Sequence, residues 1–189
     1  YRRAIVLGPK ETGAWVNLAN LDRSNGDLEQ ALANFREAEK RDSALALAVK
    51  GQAQLLGELK RFDEAGTAYR RLLARAPGDL EARFAAVRLY EALGRDDIAL
   101  EVARDGVRHD RGSGEARLIL GMALEAQGRL REAALELRRA ESLARDGEGR
   151  ERARRLIGTL SVEAPDSLRA LFEADSVALA KQQAQRSAS

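Results

Sequence analysis

The chain carries one histidine, His109, and no cysteine, and these two facts bound most of what its side chains can do chemically. A nitrogen- or sulfur-ligated metal site needs several such residues at set spacing, and a thiol nucleophile or a disulfide needs cysteine. His109 falls near the predicted end of a helix, where an imidazole complements the negative end of the helix dipole. The adjacent carboxylates Asp63-Glu64 and Asp96-Asp97 fall at predicted helix starts. The dipole favours negative charge there, so they read as helix starts rather than an acid–base pair. No glycine-rich phosphate loop follows a strand, because no strand is predicted. The densest basic run, Arg145 to Arg155, is interrupted by Asp146, Glu148 and Glu151 and lacks the interleaved aromatics of a single-strand binder. No catalytic residue, cofactor, metal or nucleic-acid partner is therefore expected, and the chain reads as a non-enzyme.

The elements that would position any other site are helices. Only 4% of the 189 residues are aromatic and three are proline, while alanine, leucine and charged residues abound, a balance that favours an all-α fold. Charges nearly cancel, 32 basic against 30 acidic, so the pI near 9.1 reflects a small excess and not a steering field. The preference for arginine fits a GC-rich bacterial genome. No apolar run approaches the roughly 20 residues of a membrane span, and no signal peptide is visible. The expected location is bacterial cytoplasm or periplasm, between which the absence of cysteine does not choose. The chain starts at Tyr1, not Met, so an upstream portion is expected.

A repeat organises those helices. Ala31, Ala65, Ala99 and Ala133 each follow an acidic helix start and lie 34 residues apart. Gly26, Lys60, Gly94 and Gly128 keep the same period, as do the larger Phe35, Tyr69 and Leu137. The pattern predicts a two-helix unit. A first helix (helix A) leads into a glycine turn and then an amphipathic second helix (helix B), with small residues where the two cross. One pair cannot bury its apolar face alone, so neighbouring pairs must stack.

A 34-residue helix–turn–helix carrying Trp15, Leu18-Ala19, Gly26, Ala31, Phe35 and Ala38 resembles the tetratricopeptide repeat. The resemblance implies an α-solenoid, a right-handed superhelix of antiparallel helix pairs. Four repeats are placed at 12–45, 46–79, 80–113 and 114–147. Residues 1–11, with Tyr1 in the place of Phe35 and Ala4 in that of Ala38, resemble the second helix of a truncated upstream repeat. Residues 148–160 are expected to form a capping helix. Residues 161–189 are expected to form an amphipathic helix, starting at Pro165-Asp166-Ser167 and presenting Leu168, Leu171, Phe172 and Leu179, and then a flexible tail. Two departures stand out. Arg83 and Arg117 occupy the place of Trp15 and Val49, which predicts arginine heads reaching water and looser packing. Asp22 stands where Leu56, Tyr90 and Leu124 stand later.

In arrays of this family, helix A lines a concave groove. Carried over, that groove would show Val16, Asn17 and Asn20, then Lys50 and Gln54, then Phe84, Arg88 and Glu91, and last Leu118, Met122 and Glu125. Asparagine can both donate to and accept from a peptide backbone, and Phe84, Leu118 and Met122 would offer apolar pockets. Asn17 and Asn20 resemble the asparagine ladder of sugar transferases with such repeats, but Lys50-Gly51 and Phe84-Ala85 do not continue it. The Lys, Asn and Arg set of chaperone-tail clamps occurs only out of order, so chaperone-tail binding is not expected. The expected partner is a protein or peptide, held in the groove or at the terminal helices by a non-catalytic scaffold. Two rivals stand beside it. The chain would be the repeat tail or accessory part of a larger bacterial enzyme or electron-transfer protein, such as a glycosyltransferase or multihaem protein. Or it would be a structural subunit whose terminal helices pack with another subunit.

Overall fold

The computed structural model describes residues 1–8, 11–163, 166 and 168, and among these it contains ten α-helices and no strand. Pro9, Pro165, Ser167, Leu171, Phe172, Leu179 and the polar end 182–189 lie outside the described residues. The chain divides into two compact units, Tyr1–Leu93 and Gly94–Ser189.

The first unit holds α1 (Arg2–Leu7), α2 (Thr12–Ser24), α3 (Leu28–Arg41), α4 (Ala46–Glu58), α5 (Phe62–Arg75) and α6 (Leu80–Ala92), each packed on the next. The second holds α7 (Asp96–His109), α8 (Gly114–Ala126), α9 (Leu130–Leu143) and α10 (Gly147–Glu163), again packed in order.

Burial follows the sequence pattern. The B helices are amphipathic and bury a stripe spaced four and then three residues: Ala31, Phe35 and Ala38 in α3, Ala65, Tyr69 and Leu72 in α5, Ala133, Leu137 and Ala140 in α9. The A helix α4 packs against both α3 and α5, so it is buried on several sides, from Ala48 and Val49 through Gln52 and Ala53 to Leu55 and Leu56. Helices cross where one of them has no side chain. A Cβ on Gly121 would lie 2.7 Å from Leu137 Cγ, and a Cβ on Gly51 would collide with the ring of Phe35.

The turn inside each hairpin is a Schellman cap. Asp27 N–H donates to the Asp22 carbonyl at 2.9 Å, Arg61 N–H to Leu56 at 2.8 Å and Arg129 N–H to Leu124 at 2.9 Å. The motif requires one residue at positive φ: Gly26 at 86° and Gly128 at 70° meet it freely, whereas Lys60 meets it at 60° with a side chain attached. The acidic residues at B-helix starts sit in the first turn, Asp63 and Glu64 in α5 and Asp96 and Asp97 in α7, and His109 is the exposed last residue of α7. Two A helices have side-chain caps: Asp79 accepts from Ala82 N–H at 2.9 Å and Ser113 from Ala116 N–H at 3.1 Å.

Two expectations change. Of the arginines in the place of Trp15, Arg83 does not reach into water: it is 1% exposed. Its Nη2 donates to the Pro77 carbonyl at 2.7 Å. Arg117 does the same to the Arg111 carbonyl at 3.1 Å and pairs with Glu136 at 2.7 Å. The loop before each of these A helices aims a carbonyl at the guanidinium six residues on, and at buried Arg83 that acceptor replaces water.

The helix expected over 148–160 spans Gly147–Glu163, so no break falls at Ser161. Ser161 Oγ donates to the Ile157 carbonyl at 2.8 Å, which satisfies the hydroxyl inside the helix instead of ending it. The basic run stays at the surface but pairs with neighbouring helices. Arg154 pairs with Glu141 of α9 at 2.6 Å and Arg152 with Glu115 of α8 at 3.3 Å, while Ala153 and Leu160 are buried.

Asp22, finally, makes a buried polar contact: Asn34 Nδ2 donates to its carboxylate at 2.6 Å.

Candidate functional site

In the first unit α2, α4 and α6 present comparable faces, set by the spacing of three, four and seven residues that keeps helical side chains on one side. On α2 that face carries Asn17 and Asn20, both exposed. No hydrogen bond among the described residues engages either amide, so each keeps its donors and acceptor. On α4 the face carries Lys50 and Gln54, both half-buried. On α6 it carries half-buried Phe84, exposed Arg88 and half-buried Glu91.

Side chains tie these faces together. Arg23 Nη1 of α2 donates to Gln54 Oε1 at 3.2 Å, and Arg23 also pairs with Glu58 of α4. With its oxygen held by Arg23, the Gln54 amide keeps its two N–H groups as donors. Lys50 Nζ lies 3.1 Å from Asp79 Oδ2 and 2.8 Å from Glu81 Oε2, which bridges α4 to the start of α6. The Glu81 hydrogen bond raises the Lys50 pKa above its ordinary value, burial opposes this, and Asp79 adds to the rise. Arg88 pairs with Glu91 at 2.8 Å.

The structure thus brings Asn17, Asn20, Lys50, Gln54, Phe84, Arg88 and Glu91 onto helix A faces of one unit. Leu118, Met122 and Glu125 lie on α8 of the second unit. Of these, Leu118 is 1% exposed, which removes it from any ligand-facing surface. It packs in the core because its repeat position, half-buried as Lys50 in α4, is covered here as it is at Val16, 5% exposed. Met122 and Glu125 are half-buried.

Two residues of the first unit were missed. Arg23 occupies the repeat position of Glu91 and Glu125, so the 34-residue register pointed to it. Leu47 is 56% exposed and stands three and seven residues before Lys50 and Gln54, on their stripe. The sequence pattern did not single out Leu47, and only its exposure marks it.

A separate surface cleft of about 530 Å³ lies over α3, α4 and α5, lined by Arg36, Glu39, Gln52, Leu56, Thr67 and Arg71 among others. Its polar floor is satisfied from within. Gln52 donates to Glu39 at 2.8 Å and accepts from Arg71 at 3.0 Å. Burial would raise the Glu39 pKa, but hydrogen bonds from Gln52 and Arg75 hold it below the ordinary carboxylate value. None of the expected groove residues lines this cleft. Among the described residues no helix is long and apolar enough to cross a membrane.

No curated protein matches the sequence significantly. Solved structures do match in fold. A crystal structure of YrrB, described as a tetratricopeptide repeat protein with an unusual peptide-binding site, is 23% identical, covers 92% of this chain and 97% of its own, and superposes with a TM-score of 0.59. MamA from Desulfovibrio magneticus RS-1 is 18% identical over 93% of this chain and 97% of its own, with a TM-score of 0.64. A tetratricopeptide repeat protein from Parabacteroides merdae is 22% identical over 91% and 70%, with a TM-score of 0.61. These likenesses agree on an all-α, α-solenoid fold class. The tetratricopeptide repeat model matches residues 16–80, 50–112 and 84–148, three overlapping windows that start 34 residues apart and together span well over half of the sequence. From the period, the Schellman turns and this match, the chain belongs to the tetratricopeptide repeat family.

Proposed function

We propose that this chain is a non-catalytic interaction module that holds an extended peptide segment of a partner protein along the helix A faces of its first unit. The observation that carries the reading is the set of amides on those faces. Asn17 and Asn20 are exposed and not used internally, and Gln54 is oriented by Arg23 with its N–H groups as donors. An extended peptide presents alternating N–H and C=O groups, and amide side chains can answer both. Leu47 and Phe84 add apolar surface for peptide side chains. The face is held in place by Arg23, Lys50 and their partners, so binding need not order it first.

The test is a pull-down from source cells with the intact chain and with an Asn17→Ala/Asn20→Ala/Gln54→Ala variant. The reading expects one partner whose recovery falls by about tenfold or more on the variant, corresponding to the loss of roughly one or two hydrogen bonds. Circular dichroism should show unchanged helicity, since none of the three side chains is in the core. A partner retained equally by the variant would sink the reading.

A further inference from the structure

Resting on the reading just given, we infer that the peptide this face takes is neutral or basic where it crosses α4 and α6, with a lysine or arginine beside Glu81, and that an acidic segment is rejected there. The argument comes from how the cations of the face are already used. Arg23 is held by Glu58, Lys50 by Asp79 and Glu81 together, and Arg88 by Glu91. Each of these three cations is therefore already engaged by at least one carboxylate of its own chain.

The geometry at Lys50 sharpens the point. Its side chain is 22% exposed, and its ammonium spends its donors on two carboxylates of its own chain. Asp79 cannot turn away without uncapping α6, because the same carboxylate accepts from Ala82 N–H. A peptide carboxylate arriving here would have to displace Glu81 or Asp79 from Lys50, exchanging one charge pair for another and placing like charges side by side. Glu81 itself is 73% exposed, and a carboxylate with about four acceptor positions can take a second cation while keeping Lys50. A peptide ammonium or guanidinium is thus accommodated without breaking an existing contact. Arg23 is likewise engaged from its own chain, by Gln54 and Glu58.

The experiment is selection of a randomised ten-residue peptide library, displayed on phage, against the intact chain, against Glu81→Lys, and against Asn17→Ala/Asn20→Ala. The inference expects the intact chain to enrich lysine and arginine over aspartate and glutamate by about threefold or more, the scale of one partly exposed charge contact. It expects Glu81→Lys to reverse that preference, and the asparagine variant to lose enrichment altogether. Selected peptides that are acidic, or that keep the same charge preference on Glu81→Lys, would overturn the charge inference while leaving the groove in place. Failure to enrich, or enrichment untouched by the asparagine changes, would overturn the groove reading itself.

Discussion

The first two hairpins, α2–α3 and α4–α5, lie in the same unit and follow the same repeat, yet they solve three local problems differently. Where helix A meets helix B, the first buries Asp22 against Asn34, and the second places Leu56 and Ala68 at those positions. At the first large helix A position, the first has Trp15 with the Arg41 guanidinium 4.3 Å from its ring centroid, and the second has Val49 with no exposure. At the turn, the first has Gly26 and the second Lys60, both at positive φ. The backbone is common to the two, so the repeat tolerates polar or apolar, large or small solutions at these positions.

The largest expected effect comes from breaking the polar solution by half. Asn34→Ala leaves the Asp22 carboxylate buried without its donor and should destabilise the protein by about 2–3 kcal/mol. The double change Asp22→Leu/Asn34→Ala converts the first hairpin to the pattern of the second and should bring stability back to within about 1 kcal/mol of the original. Urea denaturation of the three chains checks this. If the double variant is as unstable as the single one, the two solutions are not interchangeable.

Trp15→Val applies the same conversion to the large position. It removes a partly exposed indole, whose N–H has no acceptor among the described residues, together with its contact to Arg41. The expected cost is about 2 kcal/mol, from lost packing with a cation–π contribution of about 1 kcal/mol or less. A shift in thermal midpoint would show it, and no shift would mean the ring packs on nothing that matters. The smallest effect runs the other way. Lys60→Gly gives the second turn the residue of the first and should stabilise by about 1 kcal/mol, because a side chain at positive φ is strained and the turn's hydrogen bonds stay as they are. A loss of stability on this change would show that the lysine side chain contributes more than its backbone costs.

These contrasts also mark what was legible in the residues. The 34-residue spacing of Ala31, Ala65, Ala99 and Ala133, the stripes of the B helices and the turn glycines were readable directly, because each repeats a local backbone requirement. The acidic first turns were readable for the same reason. The candidate face was only partly readable. Asn17 and Asn20 are exposed on it, but Leu118, in the register of half-buried Lys50 and Phe84, is buried, since register gives direction around a helix and not what packs against it. Leu47 escaped notice for the converse reason: an apolar residue at a helix start looks like core until its neighbours are known.

The sequence by itself determined helices, their period and their turns, because these follow from side-chain periodicity and from the residues a left-handed turn accepts. Tertiary structure alone decided that Arg83 is sealed inside on the Pro77 carbonyl, that Asp22 meets Asn34, and that Lys50 is committed to Asp79 and Glu81. In each case an ionised or polar head needed a partner 6 to 31 residues away in the chain, and whether that partner faced it depended on how loops and neighbouring helices packed.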